Sequence, residues 1–335
     1  MKTLLDVRDL TIGVSTASTT ARIVNGVSYT LRDGESLGII GESGSGKSAH
    51  ILAMLGLLRR PPLFVESGEV LFEGQDLLAL PARERRRLCG SRIGMIFQDP
   101  MSALNPALTI GTQLREPLAR HLGLRGSRAT RRASELLDLV GIEEPHLRLR
   151  AYPHQLSGGM RQRVMIAIAI SCQPVLLIGD EATTALDASV QGEILDLILR
   201  LKAEFGMAVL WVTHDLRHLE GFVDTVQVMY AGRILERGPL AAVFDAPRNA
   251  YTHGLLRSLP ERVLAEGGRL TPIPGEPVDP LHPPPGDPFA PRNRFATARC
   301  HRDMPPLAPV AGGHPEHLAA AWYDLPAALA AGDDA

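Results

Sequence analysis

A glycine-rich segment between a short apolar run and a helix-like stretch constrains the fold of this chain more than any other feature. Residues 41–48 read GESGSGKS, which fits the pattern G-x-x-x-x-G-K-[ST]. The run at 36–40 is predicted to be a strand and residues 49–58 a helix, which is the setting that a phosphate-binding loop needs. Glycines let backbone N–H groups face a phosphate at a helix N-terminus. The residues predicted to form the loop are Gly41, Glu42, Ser43, Gly44, Ser45, Gly46, Lys47 and Ser48.

Two side chains of this loop carry the chemistry. Lys47 is predicted to bind the β- and γ-phosphates of a nucleotide, and Ser48 to give its hydroxyl to Mg²⁺. The planar guanidinium of an arginine does not suit that point-charge role. The chain has only three lysines, and arginine supplies the other 32 of its 35 basic residues. A lysine at position 47 therefore favours a phosphate-binding role. The flanking strand and helix argue against a chance glycine-rich turn.

The pattern of the whole chain predicts an α/β fold. Alternating residues indicate half-buried antiparallel strands, short apolar runs indicate buried parallel strands, and longer stretches have helical spacing. Strands that alternate with helices are typical of a core built on a parallel sheet. The predicted elements are antiparallel strands at 4–11 and 23–31, another strand at 68–73, a mostly helical region at 83–170, buried strands at 175–178 and 207–213, and a helix at 189–205.

An acidic pair follows the apolar run at 175–178. Asp180 is predicted to hold Mg²⁺ through water, and Glu181 to polarise the attacking water. Alone, such a pair is usually a strand end that meets solvent. It lies 133 residues after Lys47, however, and it follows a further motif described next. This order favours the catalytic interpretation.

A second glycine-rich segment, LSGGMRQR at 156–163, opens a predicted helix. Ser157 is expected to cap the helix, while Gly158 and Gly159 expose backbone N–H groups to a phosphate. An ordinary capped helix start is the alternative. Because one nucleotide does not need two separate glycine-rich cradles in the same chain, we expect this segment to contact a nucleotide bound to another subunit.

With these motifs in this order, the chain resembles the ATP-binding-cassette (ABC) ATPases over about residues 4–250. The segment LSGGMRQR is similar to their signature sequence. The resemblance implies that Gln98 touches Mg²⁺ and senses a transmembrane partner. It also implies that residues 185–187, with Asp187, form a D-loop across a dimer interface, and that His214 contacts the γ-phosphate. A lone histidine after a strand is more often structural, but its place in the full set favours this role.

The same resemblance implies a RecA-like P-loop core with an antiparallel β-subdomain and a helical subdomain at about 100–170. ATP hydrolysis with Mg²⁺ would then be coupled to closure of two nucleotide-binding subunits. Since Lys47, Glu181, His214 and the signature are all intact, both sites to which this chain contributes should be competent from its side.

A narrower resemblance is to the ATPases of dipeptide, oligopeptide and nickel importers. Residues 95–106, MIFQDPMSALNP, are similar to their Q-loop region. Residues 244–260 are similar to their C-terminal motif, although Asn249 and Ala250 replace the usual His-Pro. The proline-rich stretch that follows continues the match. Thirteen of the 26 prolines lie between Pro260 and Pro309.

We therefore expect a nucleotide-binding domain at 1–255 and an irregular importer-type extension at 256–335. The expected partners are two transmembrane permease subunits, a second homologous ATPase in a heterodimer and, indirectly, an extracytoplasmic solute-binding protein. This places the chain at the cytoplasmic face of the inner membrane as a peripheral subunit. Peptides are the first expectation for the transported substrate, with nickel or another small solute open.

Two alternatives come from other functional classes. A soluble ABC protein of translation or DNA repair usually has tandem cassettes or long coiled coils, whereas here 59 residues separate Gln98 from Ser157 in a single cassette. A regulatory protein that binds ATP without turnover is disfavoured by Glu181. A nucleic-acid partner held by bulk charge is disfavoured by the formal net charge of −2.

The chain departs from these relatives in two places. They often carry four cysteines that bind an iron–sulfur cluster, but here Asp287, Asn293 and Ala321 stand at three of those positions and only Cys300 remains. A cluster normally needs four such ligands, so we predict none. The family also stacks an aromatic residue on adenine, yet residues 13–24 contain none, and Ile23 or Val14 is the expected apolar cover.

The sequence contains no apolar run of about 18 residues, the length that a membrane-spanning helix needs. Its first ten residues include Asp6, Arg8 and Asp9, where a signal peptide needs uninterrupted apolar residues. The remaining cysteines, Cys89 and Cys172, are expected to be packing residues.

Overall fold

The computed structural model describes residues 2–16, 19–184, 186–260 and 271–332. Two compact units divide the chain. Unit 1 contains Met1–Thr3, Leu31–Ser36 and Ala79–Thr213, and unit 2 contains Leu4–Thr30, Leu37–Leu78 and His214–Ala335. The domain boundary at residues 255 and 256 stays a prediction from the sequence.

The elements are numbered in chain order. The strands are β1 (Thr3–Ser15), β2 (Thr20–Arg32), β3 (Ser36–Ile40), β4 (Leu63–Phe72), β5 (Gln75–Asp76), β6 (Ile93–Ile96), β7 (Leu176–Asp180), β8 (Ala208–Thr213), β9 (Thr225–Tyr230), β10 (Arg233–Pro239), β11 (Leu307–Pro309) and β12 (Leu318–Ala320). The helices are α1 (Lys47–Leu55), α2 (Ala82–Leu88), α3 (Pro100–Ala103), α4 (Ile110–Leu122), α5 (Gly126–Leu139), α6 (Pro145–Arg148), α7 (Gly158–Ile170), α8 (Ala188–Phe205), α9 (Leu240–Asp245), α10 (Ala250–Arg257) and α11 (Leu325–Gly332).

Unit 1 contains three neighbouring parallel strands, β6, β7 and β8. Ile93 pairs with Leu176, and Leu176 pairs with Ala208. Every residue of β7 and β8 is buried, as the apolar runs predict. Strand β6 is a correction, since the sequence predicts mostly helix over 83–170. Its four residues, IGMI, are too few to show a period that separates strand from helix.

Helices α3 to α7 of unit 1 occupy the stretch where the sequence predicts a helical subdomain. Helix α7 begins within the signature segment and buries most of its apolar side chains. Gly94 of β6 lies against this helix, because a Cβ atom added there would stand 2.4 Å from the carbonyl oxygen of Ala169. Close packing of β6 on α7 thus requires glycine at this position.

Unit 2 contains an antiparallel sheet with the strand order β2-β1-β4-β5. Leu5 of β1 pairs with Phe72 of β4, and both side chains are buried. This confirms the strands predicted at 4–11, 23–31 and 68–73. The structure extends the first two at both ends, and it begins the third earlier, at Leu63, and ends it at Phe72.

A second set of strands in unit 2 has the order β11-β12-β10-β9-β3. Strand β3 is parallel to β9, with Leu37 opposite Thr225, and it leads into the glycine-rich loop. Helix α1 begins at Lys47 directly after that loop. It ends at Leu55, earlier than the sequence predicts, because Gly56 adopts a left-handed conformation and caps the helix.

The proline-rich extension has little regular structure over 271–332, as its composition predicts. Two short strands nevertheless join it to the rest of unit 2, because β12 pairs with β10 through Ala319 and Glu236. The Glu236 carboxylate is fully buried and accepts hydrogen bonds from the backbone N–H groups of Arg248 and Asn249. It also lies 2.7 Å from the Nε2 atom of His317. The extension is therefore packed into unit 2.

Within the described parts of the chain, no helix combines the length and the apolar character required to cross a membrane.

The packing of β6 on α7 makes a testable prediction. The substitution Gly94→Ala forces a methyl group against the Ala169 carbonyl and should lower the free energy of unfolding by about 1–3 kcal/mol. The matched control is Gly192→Ala within α8, where no atom lies within 4 Å of the added methyl group. That control should gain roughly 0.5–1 kcal/mol, because alanine is a better helix former than glycine. Urea denaturation of both variants measures the two changes, and equal effects would contradict the packing described.

Candidate functional site

The glycine-rich loop of unit 2 is a close-packed backbone cradle. Gly41 has φ +152°, and a Cβ atom there would stand 2.1 Å from the carbonyl oxygen of Met229. Gly46 has φ +95°, and its Cβ atom would stand 2.6 Å from the carbonyl oxygen of Ile23. Only glycine satisfies both the conformation and the space at these positions. The predicted glycine cradle therefore has a physical requirement at each of its ends.

Lys47 is the cation of this cradle. Its side chain is nearly buried, with the residue 4% exposed. The Nζ atom donates to the carbonyl oxygens of Gly41 and Glu42 at 2.8 and 2.9 Å. The ammonium thus lies inside the loop, and its binding to phosphates stays a prediction. Ser48 follows it in the first turn of α1 and is half-buried.

Glu42 is held by residues that the sequence analysis did not identify. Its backbone N–H donates to the hydroxyl of Tyr251 at 2.7 Å, and its carboxylate pairs with the guanidinium of Arg292. Burial alone would lower the pKa of Arg292, but its bonds to Glu42 and Tyr230 hold that pKa above the ordinary value for arginine. Tyr251 belongs to the importer-type C-terminal motif, and that motif is the only sequence signal that could have indicated a role.

Two of the predicted site residues, Asp180 and Glu181, are consecutive at the carboxyl end of β7 in unit 1. Asp180 is the last residue of the strand and is buried. Glu181 follows with φ +47°, an uncommon conformation for a residue with a side chain and one that is often found at functional sites. The Nε2 atom of Gln98 donates to its Oε2 atom at 3.1 Å. Gln98 therefore lies beside the candidate base, and its amide oxygen stays available as an acceptor.

The signature segment begins α7 as predicted. The Ser157 hydroxyl accepts the backbone N–H of Met160 at 3.3 Å, so Ser157 is the N-cap. Ser157 and Gly158 are exposed, and a Cβ atom at Gly158 would meet no atom within 4 Å. Packing among the residues that the structure describes therefore does not explain the glycine at 158. Gln162, one turn further on, is buried and donates to the carbonyl oxygen of Ala182.

The two remaining predicted residues lie on exposed positions. Asp187 of unit 1 is the N-cap residue of α8, and its carbonyl oxygen accepts from the N–H of Gln191. Ala185, the first residue of the predicted D-loop, lies outside the described residues. His214 follows β8 in the sequence, is the first residue of the third segment of unit 2 and is exposed.

The residues present fit a nucleotide with Mg²⁺ by the chemistry of their donors. Unit 2 offers backbone N–H groups, the Lys47 ammonium and the Ser48 hydroxyl, and unit 1 offers the Asp180 carboxylate and the Gln98 amide oxygen. Oxygen ligands are those that Mg²⁺ prefers.

Two residues were expected to pack against the adenine base. The backbone of Ile23 lies against Gly46, while Val14 pairs with Leu63 of β4.

Three of the four positions compared with cluster cysteines, Asp287, Asn293 and Cys300, belong to unit 2. The backbone N–H of Asp287 donates to the Cys300 carbonyl oxygen at 2.8 Å, and Asp287, Asn293 and Cys300 are all buried. Burial raises the pKa of the Asp287 carboxyl. Among the residues that the structure describes, no group of three or more His, Cys, Asp or Glu side chains is arranged to hold a metal ion. One thiol and a carboxylate do not match the donor set of an iron–sulfur cluster.

Family models match two stretches of the chain. Residues 24–184 match the ABC transporter model. Residues 235–300 match the model of the C-terminal region of oligopeptide/dipeptide transporters. The second match includes the end of β10, helices α9 and α10 and the extension as far as Cys300.

Named relatives are similar over nearly the whole chain. The oligopeptide transport ATP-binding protein OppD of Bacillus subtilis is 44% identical over 311 residues, which cover 93% of this chain and 87% of the relative. The dipeptide transport ATP-binding protein DppD of Escherichia coli is 45% identical over 310 residues, which cover 92% of this chain and 94% of the relative.

Solved structures have the same fold. A dimeric ATP-binding cassette in a post-hydrolysis state, bound to ADP and phosphate, is 28% identical with a TM-score of 0.63 and covers 70% of this chain and 98% of its own. The cbiO1 component of the cbiONQ ABC transporter complex of Clostridium perfringens is 28% identical with a TM-score of 0.62, over 73% of this chain and 92% of its own. The predicted α/β cassette fold is thereby confirmed.

Proposed function

The chain belongs to the ATP-binding-cassette transporter ATPases, and from that premise we propose that it powers an importer of peptides across the cytoplasmic membrane. The observation that carries the peptide assignment is the match of residues 235–300 to the oligopeptide/dipeptide transporter C-terminal region. Relatives named for oligopeptide or dipeptide transport support it, since they are similar over more than nine-tenths of the chain.

In this proposal unit 2 binds the phosphates. The loop N–H groups at 41–48 and the Lys47 ammonium hold the β- and γ-phosphates of ATP, and Ser48 is a ligand of Mg²⁺. His214 contacts the γ-phosphate. The positions of Gly41 and Gly46 support this assignment, because the loop backbone there is fixed by contacts that exclude any side chain.

Unit 1 supplies the residues for hydrolysis. Asp180 and Gln98 are the further ligands of Mg²⁺, and Glu181 orients and polarises the attacking water. Bound Mg²⁺ would neutralise charge on the β- and γ-phosphate oxygens. The hydrogen bond from Gln98 to Glu181 supports a shared role, because it fixes the direction of the candidate base.

The signature segment acts on a second subunit in this proposal. Ser157 and the N–H groups of Gly158 and Gly159 would contact the nucleotide of a partner ATPase, with Asp187 at the interface between the two. The open space beside Gly158 supports this, since no described residue gives a packing reason for a glycine there. Closure with ATP and opening after hydrolysis would then drive the membrane subunits between two states.

The assembly we propose contains two permease subunits, a second homologous ATPase and, indirectly, an extracytoplasmic solute-binding protein. The chain would lie at the cytoplasmic face of the inner membrane through its permease partners. A preparation in which this chain alone forms a stable homodimer that supports uptake would exclude the heterodimer.

A first prediction tests the base. The substitution Glu181→Gln removes the carboxylate that polarises water and should lower the ATPase rate by roughly 100- to 10,000-fold, the usual contribution of a general base. ATP binding should persist, because the loop and Lys47 are unchanged. The matched control is Glu204→Gln on the exposed side of α8, which should hydrolyse ATP at the wild-type rate. An unchanged rate for Glu181→Gln would show that the base is another group.

A second prediction tests the peptide assignment. The chain should co-purify with two permeases, and in lipid vesicles the assembly should hydrolyse ATP faster when the solute-binding protein is loaded with di- or oligopeptides. Nickel salts should produce no such increase. Stimulation by nickel and not by peptides would overturn the peptide assignment while leaving the ATPase assignment intact.

A third prediction concerns the extension. We propose that it folds without an iron–sulfur cluster, because Asp287 and Asn293 occupy two of the expected thiolate positions. Protein purified without oxygen should therefore contain neither iron nor acid-labile sulfide by colorimetric assay. Stoichiometric iron with sulfide, lost in a Cys300→Ser variant, would contradict the proposal.

A further inference from the structure

The C-terminal extension reaches the phosphate-binding loop through one buried arginine. Arg292 ends the short helical turn Ala290–Arg292, and its side chain is 5% exposed. Its Nη1 and Nη2 atoms donate to the two carboxylate oxygens of Glu42 at 2.7 and 3.1 Å. Bidentate pairing of this kind fixes the relative orientation of the two side chains as well as the distance between them. The pair links residues 250 positions apart in the sequence.

Two further donors of the guanidinium are also engaged within unit 2. Nε donates to the carbonyl oxygen of Pro274 at 2.8 Å, and Nη1 also donates to the hydroxyl of Tyr230 at 3.1 Å. The ring of Phe289 packs against those of Tyr230 and Tyr251, with centroids 5.4 and 5.2 Å apart. The guanidinium is thus held in one orientation by contacts other than the one with Glu42. The long side chains of a surface ion pair lack such contacts and stay flexible.

Glu42 transmits this contact to the ammonium of the site. Its carbonyl oxygen accepts from the Nζ atom of Lys47, while its own N–H is held by the hydroxyl of Tyr251. A shift of Glu42 would therefore move an acceptor of Lys47 and change the direction of the loop backbone. Gly41, immediately before it, has no freedom to compensate because it lies against the carbonyl of Met229.

Arg292 also neutralises the negative charge of Glu42. Glu42 puts a carboxylate into a loop whose ligand carries several negative charges, and like charges at short distance repel. Pairing with a guanidinium cancels that carboxylate and keeps its oxygens directed toward the extension. Loss of Arg292 would therefore weaken nucleotide binding in two ways, by releasing the loop and by exposing a negative charge.

We propose that the C-terminal extension is part of the nucleotide site, with Arg292 as the positioning residue that holds Glu42 and neutralises its carboxylate. Docking of the extension then sets the affinity of the loop for ATP. This inference rests on the ATP-binding role of the chain and is independent of the solute that the transporter carries.

The test uses the full chain and calorimetric titration with ATP, without permeases or peptide. The substitution Arg292→Gln should raise the Kd for ATP by roughly tenfold, within the usual range of coupling between sites. The substitution Arg292→Lys keeps the charge but loses the two-point pairing, so its Kd should lie between those of Arg292→Gln and the wild type. The matched control is Arg294→Gln, an exposed arginine that stacks on Phe295 and should bind ATP as the wild type does.

A double variant tests the charge part of this role. In the Arg292→Gln background, the added substitution Glu42→Gln removes the uncompensated charge and should recover part of the lost affinity. In the wild-type background the same substitution should weaken binding, because it breaks the pairing. Thermal unfolding of the same variants separates this effect from stability: the Kd for ATP should change as stated also where the protein is fully folded at the temperature of the titration.

The outcomes against the proposal are distinct. If Arg292→Gln lowers the unfolding temperature while its Kd for ATP stays at the wild-type value, the arginine only anchors the extension. If the double variant binds ATP no more tightly than Arg292→Gln, neutralisation is refuted. Should Arg292→Gln fail to fold, a wild-type Kd in the Arg292→Lys variant would refute the positioning role.

Discussion

Close backbone contact at two glycines fixes the phosphate-binding loop, and the rest of unit 2 is arranged around that constraint. Gly41 lies against the carbonyl of Met229 in β9, and Gly46 against that of Ile23 in β2. The N–H of Gly232 then donates to the Ser45 carbonyl at 3.0 Å. The loop is thus held by main-chain groups of strands that are distant in sequence. A phosphate cradle needs N–H groups in fixed directions, and these contacts provide that rigidity.

The features predicted from the sequence are those whose physical cause is local. The glycine-rich loop, the acidic residues after β7 and the capped start of α7 each occupy a few consecutive residues, so their chemistry is visible in the pattern itself. Strands β7 and β8 can be predicted because most of their residues form short apolar runs, as burial on both faces favours. Strand β6 was missed because four residues next to a long helical stretch carry no distinct period.

Contacts between distant residues could not be predicted in the same way. Arg292 and Glu42 are separated by most of the chain, and nothing in either segment indicates that they pair. Tyr251 lies in a motif that resembles other importers, but a motif does not show which atom its hydroxyl meets. The proline content of the extension correctly indicates irregular backbone. The proline content gives no indication that the short strand β12 pairs with β10.

Two of the differences from the importer pattern, the Asn249-Ala250 pair and the missing cluster cysteines, lie near the same tyrosine, Tyr323. Where the motif usually has proline, Ala250 has a backbone N–H, and that group donates to the hydroxyl of Tyr323 at 2.8 Å. Proline at 250 would remove this donor. Burial raises the pKa of Tyr323, and the nearby Asp287 and Cys300, two of the positions compared with cluster thiolates, raise it further.

Tyr323 thus lies near both the changed motif and two of the positions compared with cluster thiolates. Asn249 adds a second link, because its side chain caps α10 through the N–H of Tyr251 and also donates to the carbonyl oxygen of Ala320. Burying a polar group is costly unless it is hydrogen-bonded, and these two links satisfy the N–H of Ala250 and the side chain of Asn249. The extension is therefore fastened to α10 by protein hydrogen bonds in the region where its relatives are expected to use metal. The same α10 carries Tyr251, whose hydroxyl holds the backbone of the phosphate-binding loop.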